Sequence, residues 1–331
     1  LEGCVDRPVF IRSRDGHGLW LNRAAMSLVP DAWRAGDPLG GKIGRDFDGG
    51  PDGTLYDEAM EPVLGTVNTR DRSTLSRRME RALERCARAG LTSVHSMALP
   101  PEAVEVLEDL ESAGALSVRV FGYLNGTREA SWEILQENKT RSDRLHLPGI
   151  KLFADGALGS RGAAMLEPYD DEPACCGHLR YPPEEINELA RRAHAQNLQL
   201  AIHAIGDQGN RVALDALATL PEVALARHRI EHAQIVDPAD VGRFAELGVV
   251  ASMQPCHATS DAPWVEERIG SRRLRHAYPW VTLARRGVLL AFGTDAPIER
   301  LEPGPAMASA LARAVVGDSL ALPAVLHART A

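Results

Sequence analysis

Hydrophobic and polar positions change period along the chain in a regular way. Over residues 75–89 apolar side chains recur at helical spacing, with Leu75, Met79, Leu83 and Cys86 on one face and Gly90 placed as a left-handed cap. A short strand-like run follows at 91–95. Pro101 then opens a helix at its first turn, and Gly114 closes it. Run 116–124 is β-branched and aromatic enough for the next strand. The alternation continues with strand-like runs at 150–154, 198–204, 229–233, 249–253 and 288–292, which makes seven strands in all. Helices are expected between them, including 183–196 after Pro182-Pro183 and 238–247, capped by Asp237 and stopped by Gly248.

Strands that alternate with helices imply parallel β-α-β units and a buried sheet. An open doubly wound sheet would advertise a glycine-rich phosphate turn after its first strand, and the sequence carries neither G-x-G-x-x-G nor a Walker pattern. A (β/α)8 barrel of the TIM type instead places chemistry at the C-terminal ends of several strands. Polar, ligand-type residues sit at such ends here, so the pattern favours the barrel, over 73–331. Residues 1–72 read differently. Rich in Gly, Pro and Asp, with one short strand candidate at 8–11, they are expected as an irregular, loop-rich segment laid over the active-site face.

Composition narrows the class without changing the fold. The 331 residues are 44% hydrophobic and 25% charged, with a formal net charge of −8. Lys and Arg are spread along the chain, which argues against nucleic acid or an anionic membrane as partner. No apolar run reaches the ~18 residues of a membrane span. Five cysteines without framework spacing suggest a reduced, cytoplasmic protein. Cys175-Cys176 near His178 lacks the gap of a Cys-x-x-Cys clip and reads as a structural loop rather than a zinc knuckle. Leu1 is not an initiator methionine and no charged-then-apolar leader follows, so the chain reads as a trimmed, processed or internal piece.

Four strand ends carry the candidate chemistry: Lys151, His203, His232 and Asp295. Each has an ordinary explanation alone. A strand-end histidine is commonly a hydrogen-bonded structural residue, and an aspartate after Gly-Thr is commonly a helix N-cap. A lysine in Ile-Lys-Leu-Phe is harder to dismiss, because a buried ammonium is costly without a partner. Two imidazoles, a carboxylate and a buried amine meeting at one barrel mouth suit a hard cation and hydrolysis.

Residues 149–164, 203–207, 227–234, 254–261 and 293–297, with Asp15-Gly16-His17 through Asn22, resemble the amidohydrolase superfamily. The closest branch is the YtcJ-like group that includes N-substituted formamide deformylases. The resemblance implies that Lys151 is carboxylated and bridges two metals, that His203 and His232 are metal ligands, and that Asp295 binds metal and accepts the proton of the attacking water. It places Asp155, Asp207 and Glu231 as partners holding ligand tautomers and charge. His17, Trp20, Asn22, Gln254 and His257 would line the substrate pocket. One or two divalent ions, zinc foremost, would be the cofactor, and a small molecule the partner, in a monomer or homo-oligomer. The implied reaction is metal-dependent hydrolysis of a C–N amide-type bond, in an amide, formamide or cyclic amide. Alternatives are an ester, lactone or phosphoester, or a non-catalytic barrel with an incomplete site. The family's opening strand ends in His-x-His, and no such pair occurs in these residues. The first strand and the accessory β-sandwich are therefore expected to be missing, and this chain alone to be inactive.

Overall fold

The computed structural model describes residues 7–34, 36–67, 71–137 and 142–312. Cys4 and the last residues of the chain lie outside them. The first segment departs from the irregular cover expected for it. It holds a four-stranded antiparallel sheet, in the order β1 (Phe10–Arg12), β2 (Gly18–Leu21), β4 (Pro51–Asp57), β3 (Gly41–Arg45). Leu19, Leu21, Ile43 and Leu55 point to one face and bury with Ala25, Val29, Ala59, Met60 and Val63 in a core of their own. The Asp46–Gly50 stretch that suggested a loop is the hairpin turn between β3 and β4. Asp46 Oδ1 accepts from the backbone N–H of Asp48 at 3.1 Å and of Gly50 at 2.8 Å, and Gly49 supplies a positive φ of 82°.

Seven further strands form one parallel sheet in chain order: β5 (Ser93–Leu99), β6 (Arg119–Asn125), β7 (Leu145–Phe153), β8 (Gln199–Ala204), β9 (Arg229–His232), β10 (Val250–Met253) and β11 (Leu290–Phe292). The sheet curls into an incomplete barrel. Laid flat, β5 and β9 would stand about 19 Å apart, four strand spacings. Yet Arg229 Nη1 on β9 lies 2.8 Å from His95 Nδ1 on β5, and the Arg229 guanidinium sits 5.4 Å from the centre of the Tyr123 ring on β6. Among the described residues no strand joins β5 to β11.

Two boundaries moved for physical reasons. Strand β7 begins at Leu145 rather than 150, because Pro148 sits inside it. The β6–β7 register shifts there, with Phe121 opposite His146 but Tyr123 opposite Gly149. This bulge is the kind of place where a sheet tolerates a proline. The expected helix at 238–247 spans Val241–Glu246 and starts from Asp240, while Asp237 holds the Ala239 N–H in the turn before it. The helices at Arg72–Arg88, Pro101–Ser112 and Pro183–Ala195 agree with the periodicity.

Gly149 is a point where the barrel wall permits only hydrogen. A Cβ there would lie 1.8 Å from the backbone oxygen of Gln199 on β8. Neither strand can yield without breaking its ladder, so Gly149→Ala is expected to destabilise the fold by about 3 kcal/mol, at the upper end for overpacking. Urea denaturation would measure it, and a loss under 0.5 kcal/mol, roughly the scale of a neutral surface change, would contradict this picture of the wall.

Candidate functional site

The barrel interior carries ionised groups in a column. Lys151 on β7 is 3% exposed, and its Nζ lies 4.8 Å from the Phe153 ring centre. Burial pulls its amine down to about 8, while the carboxylates of Glu231 and Asp295 act against that fall. Glu231, buried at the end of β9, is pushed up by burial but brought below the ordinary carboxylate value by Arg229 and Lys151. Arg229 Nε donates to Glu231 Oε1 at 2.5 Å and Nη2 to Ser252 Oγ at 2.7 Å.

Above this column His203 and His232 stand with ring centroids 4.5 Å apart, edge to face. Burial holds His203 well below the ordinary imidazole value, helped by His232 and Lys151. Burial brings His232 down to about 4, although Asp295 acts the other way. Both rings are therefore neutral at pH 7, the form that binds metals. Their hydrogen bonds say which nitrogen is free. Gln254 Nε2 donates to the Ser252 carbonyl at 3.2 Å, so its Oε1, 2.7 Å from His232 Nδ1, is the acceptor. That puts the His232 proton on Nδ1 and the lone pair on Nε2. His203 Nε2 faces the Gly156 carbonyl at 3.3 Å, which leaves its lone pair on Nδ1. Gln254, expected in the pocket wall, thus orients His232. His257 stacks on His232 at 5.8 Å with a 15° interplanar angle, and its buried Nε2 has no partner among the described residues.

Asp295 follows β11 on an exposed turn with φ 52°, and His232 has φ 76°, left-handed conformations that a non-glycine residue adopts at some cost. Its charge acts on Lys151 and His232. The structure thus joins the two imidazoles closely and holds Lys151 and Asp295 within electrostatic reach. Among the described residues, no three His, Cys, Asp or Glu side chains stand together as a group that could hold a metal ion.

The small sheet meets this site through His17. Its Nδ1 donates to Asp57 Oδ1 at 2.6 Å, and its ring lies 5.5 Å from that of His203. Asp57 also accepts from His178 Nε2 at 3.0 Å, so His178 turns to Asp57 and not into a knuckle with Cys175 and Cys176. Arg14 in the β1–β2 turn donates to the Ile298 carbonyl at 2.9 Å, next to the Asp295 turn. Two of the expected site residues bond backbone groups. Asn22 caps the helix Arg23–Met26: its Oδ1 accepts from Ala25 and Val9 N–H at 2.9 and 3.0 Å, and its Nδ2 donates to the Arg7 carbonyl at 2.8 Å. Asp207 accepts the Leu166 N–H at 2.7 Å in a cleft shared with Arg273 and His276, so it fastens the loop after β7 rather than a ligand histidine. Trp20 is 47% exposed, on the side of β2 away from Leu19 and Leu21. Asp155 accepts three backbone N–H groups, from Ala164, Ile205 and Gly206, and lies 3.5 Å from His203 Nε2. Burial pushes its carboxyl up to about 7 against those three donors. Asp57 escapes the sequence reading, since no motif marks an aspartate at the end of a strand inside a Gly- and Asp-rich segment, and with it the role of His178 as its partner.

The sequence profile of the Amidohydrolase family matches residues 2–330. The chain belongs to the amidohydrolase family. Within that family it is 32% identical to YtcJ of Bacillus subtilis (strain 168), covering 93% of this chain and 59% of that protein. It is 27% identical to the N-substituted formamide deformylase of Arthrobacter pascens, over 94% of this chain and 60% of that one. The crystal structure of an uncharacterized metal-dependent hydrolase from Pyrococcus horikoshii OT3 superposes with a TM-score of 0.79 at 30% identity, covering 98% of this chain and 66% of that one. This amidohydrolase-family chain therefore spans about three-fifths of the length of the curated relatives it matches.

Two expectations test the geometry. If His232 takes a divalent ion through Nε2, removing the acceptor on its Nδ1 in Gln254→Leu should weaken that binding by roughly 10–100-fold, the usual effect of losing a ligand's hydrogen-bond partner. Competition with a chromophoric chelator measures this, and an unchanged affinity would detach Gln254 from His232. Separately, burial raises the Asp57 carboxyl, but hydrogen bonds from His17 and His178 outweigh it and hold the group below its ordinary 3.8. A depressed acid stabilises the fold above its unfolded value, and that stability is lost as pH falls below it. Asp57→Asn should therefore flatten the fall in stability below pH 3.8, read from urea midpoints between roughly pH 7 and pH 2.

Proposed function

We propose that this chain carries the barrel of a metal-dependent hydrolase that cleaves a C–N amide-type bond of a small molecule. The observation that carries the reading is the pair of neutral imidazoles offering His203 Nδ1 and His232 Nε2, with the other nitrogen of each ring tied to a carbonyl oxygen. Metal-binding histidines are oriented in this way. The unpartnered buried Nε2 of His257 beside them also suits a polar ligand. The name of the A. pascens relative supports an amide-type substrate, and that of the P. horikoshii neighbour supports a metal.

His203 and His232 would hold a divalent ion, zinc foremost, with Asp295 as carboxylate donor. Lys151, its amine brought toward neutrality at about 8, would join them once CO2 converts that amine to a carbamate and releases a proton. A bound ion of this kind lowers the pKa of water to about 7 and polarises a carbonyl. Asp295 accepts the proton of the attacking water and passes it to the leaving amine. Glu231, paired with Arg229, keeps the amine of Lys151 in place until it is carboxylated. We place the protein in the cytoplasm; no described helix is long and apolar enough to cross a membrane.

In the full-length enzyme, Asp295→Asn is expected to keep the fold and reduce hydrolysis by roughly 100-fold or more, because the amide retains the shape and loses the proton-accepting charge. Elemental analysis after zinc loading, combined with a panel of formamides, cyclic amides and matching esters and lactones, checks the reading. Absence of bound divalent metal would favour a non-catalytic barrel. Faster turnover of the esters would move the reaction to C–O bonds.

A further inference from the structure

Asp57 closes β4 with its side chain buried between the small sheet and the barrel. Its Oδ1 lies 2.6 Å from His17 Nδ1, and its Oδ2 lies 3.0 Å from His178 Nε2. The surrounding chain is shaped to admit this carboxylate. A Cβ at Gly156 or Gly162, in the loop after β7, would come within 2.5 or 2.9 Å of Oδ2. A carboxylate can only accept hydrogen bonds. Both imidazoles must therefore donate to it, His17 through Nδ1 and His178 through Nε2. With its proton on Nδ1, the His17 ring keeps a lone pair on Nε2, the nitrogen not taken by Asp57, and this ring stands 5.5 Å from that of His203.

We propose that Asp57 is a positioning residue of the candidate site: it locks His17 in the tautomer whose Nε2 accepts a hydrogen bond from an N–H or O–H of the molecule bound beside His203. His178 ties the same carboxylate to the loop after β7, so one buried group sets both the docking of the small sheet and the face that His17 presents. The proposal deepens the hydrolase reading and rests on it for the identity of the bound molecule; the tautomer itself does not depend on it.

The test is nitrogen NMR of the full chain labelled with 15N-histidine, with the His17 signals identified by their loss in His17→Phe. The wild-type protein is expected to show a protonated, pyrrole-type Nδ1 and a bare, pyridine-type Nε2 at His17. Asp57→Leu should move the proton toward Nε2, whereas His178→Phe should leave it on Nδ1. On any amide that the wild-type chain hydrolyses, Asp57→Leu and His17→Phe should each lower kcat about tenfold, the worth of one neutral hydrogen bond. A wild-type His17 protonated on Nε2 overturns the proposal, whether or not Asp57→Leu folds. So does a folded Asp57→Leu in which the proton stays on Nδ1. A chain that binds zinc but hydrolyses no amide removes the amide-bond reading and leaves the NMR result to decide this one.

Discussion

Placing an ammonium, a guanidinium and a carboxylate inside a barrel that usually packs with aliphatic side chains is a severe electrostatic constraint. Here it is met by a continuous chain of contacts across three strands. Arg229 holds Glu231 and Ser252 and reaches His95 on the far side of the sheet. Glu231 in turn lowers the energy of the protonated amine of Lys151. Remove Arg229 and the buried carboxylate would keep only Ser252 as a hydrogen-bond partner while facing a buried amine. The curl of the sheet and the charge state of the site are therefore linked, because the residue that spans the barrel is the one that balances its charge.

The imidazoles depend on the same surroundings. A low-dielectric floor carrying a cation disfavours a second positive charge, so His203 and His232 are kept neutral by burial and by Lys151 below them. Neutral rings then need their donors placed, and the carbonyl oxygens of Gly156 and Gln254 do this from two different strand ends. Which nitrogen of each ring is free follows from loop geometry, two steps removed from the histidines.

That distance explains what was legible in the sequence. The seven strands and the helices between them were visible because burial on both faces writes long apolar runs, and helical period is robust over a dozen residues. Lys151, His203, His232 and Asp295 could be picked out because each interrupts or ends such a run with a group that is costly to bury. The small sheet was misread because its strands are 3 to 7 residues long and its turns are full of glycine and aspartate. Glycine and aspartate are loop signals in general, but at Asp46–Gly50 they build a hairpin turn. Asn22 and Asp207 bond backbone groups of distant or turning segments, contacts that no motif announces. Hydrogen bonds between distant segments leave no periodic trace, so Asp57 could not be found.

The contact between Arg14 and the carbonyl of Ile298 joins residues 284 apart in the chain. Such a closure is entropically dear to form early, though its cost grows only slowly with length. It also sets an order of events during synthesis. The small sheet leaves the ribosome before its partners at 178, 203 and 298, which follow one by one. The mouth of the site thus acquires the Ile298 contact late, and a nascent chain must keep β1 and β2 soluble until then. Exposed Arg12 at the end of β1 and Arg14 in the turn after it are suited to that wait, since charge at a strand end discourages premature pairing with other chains.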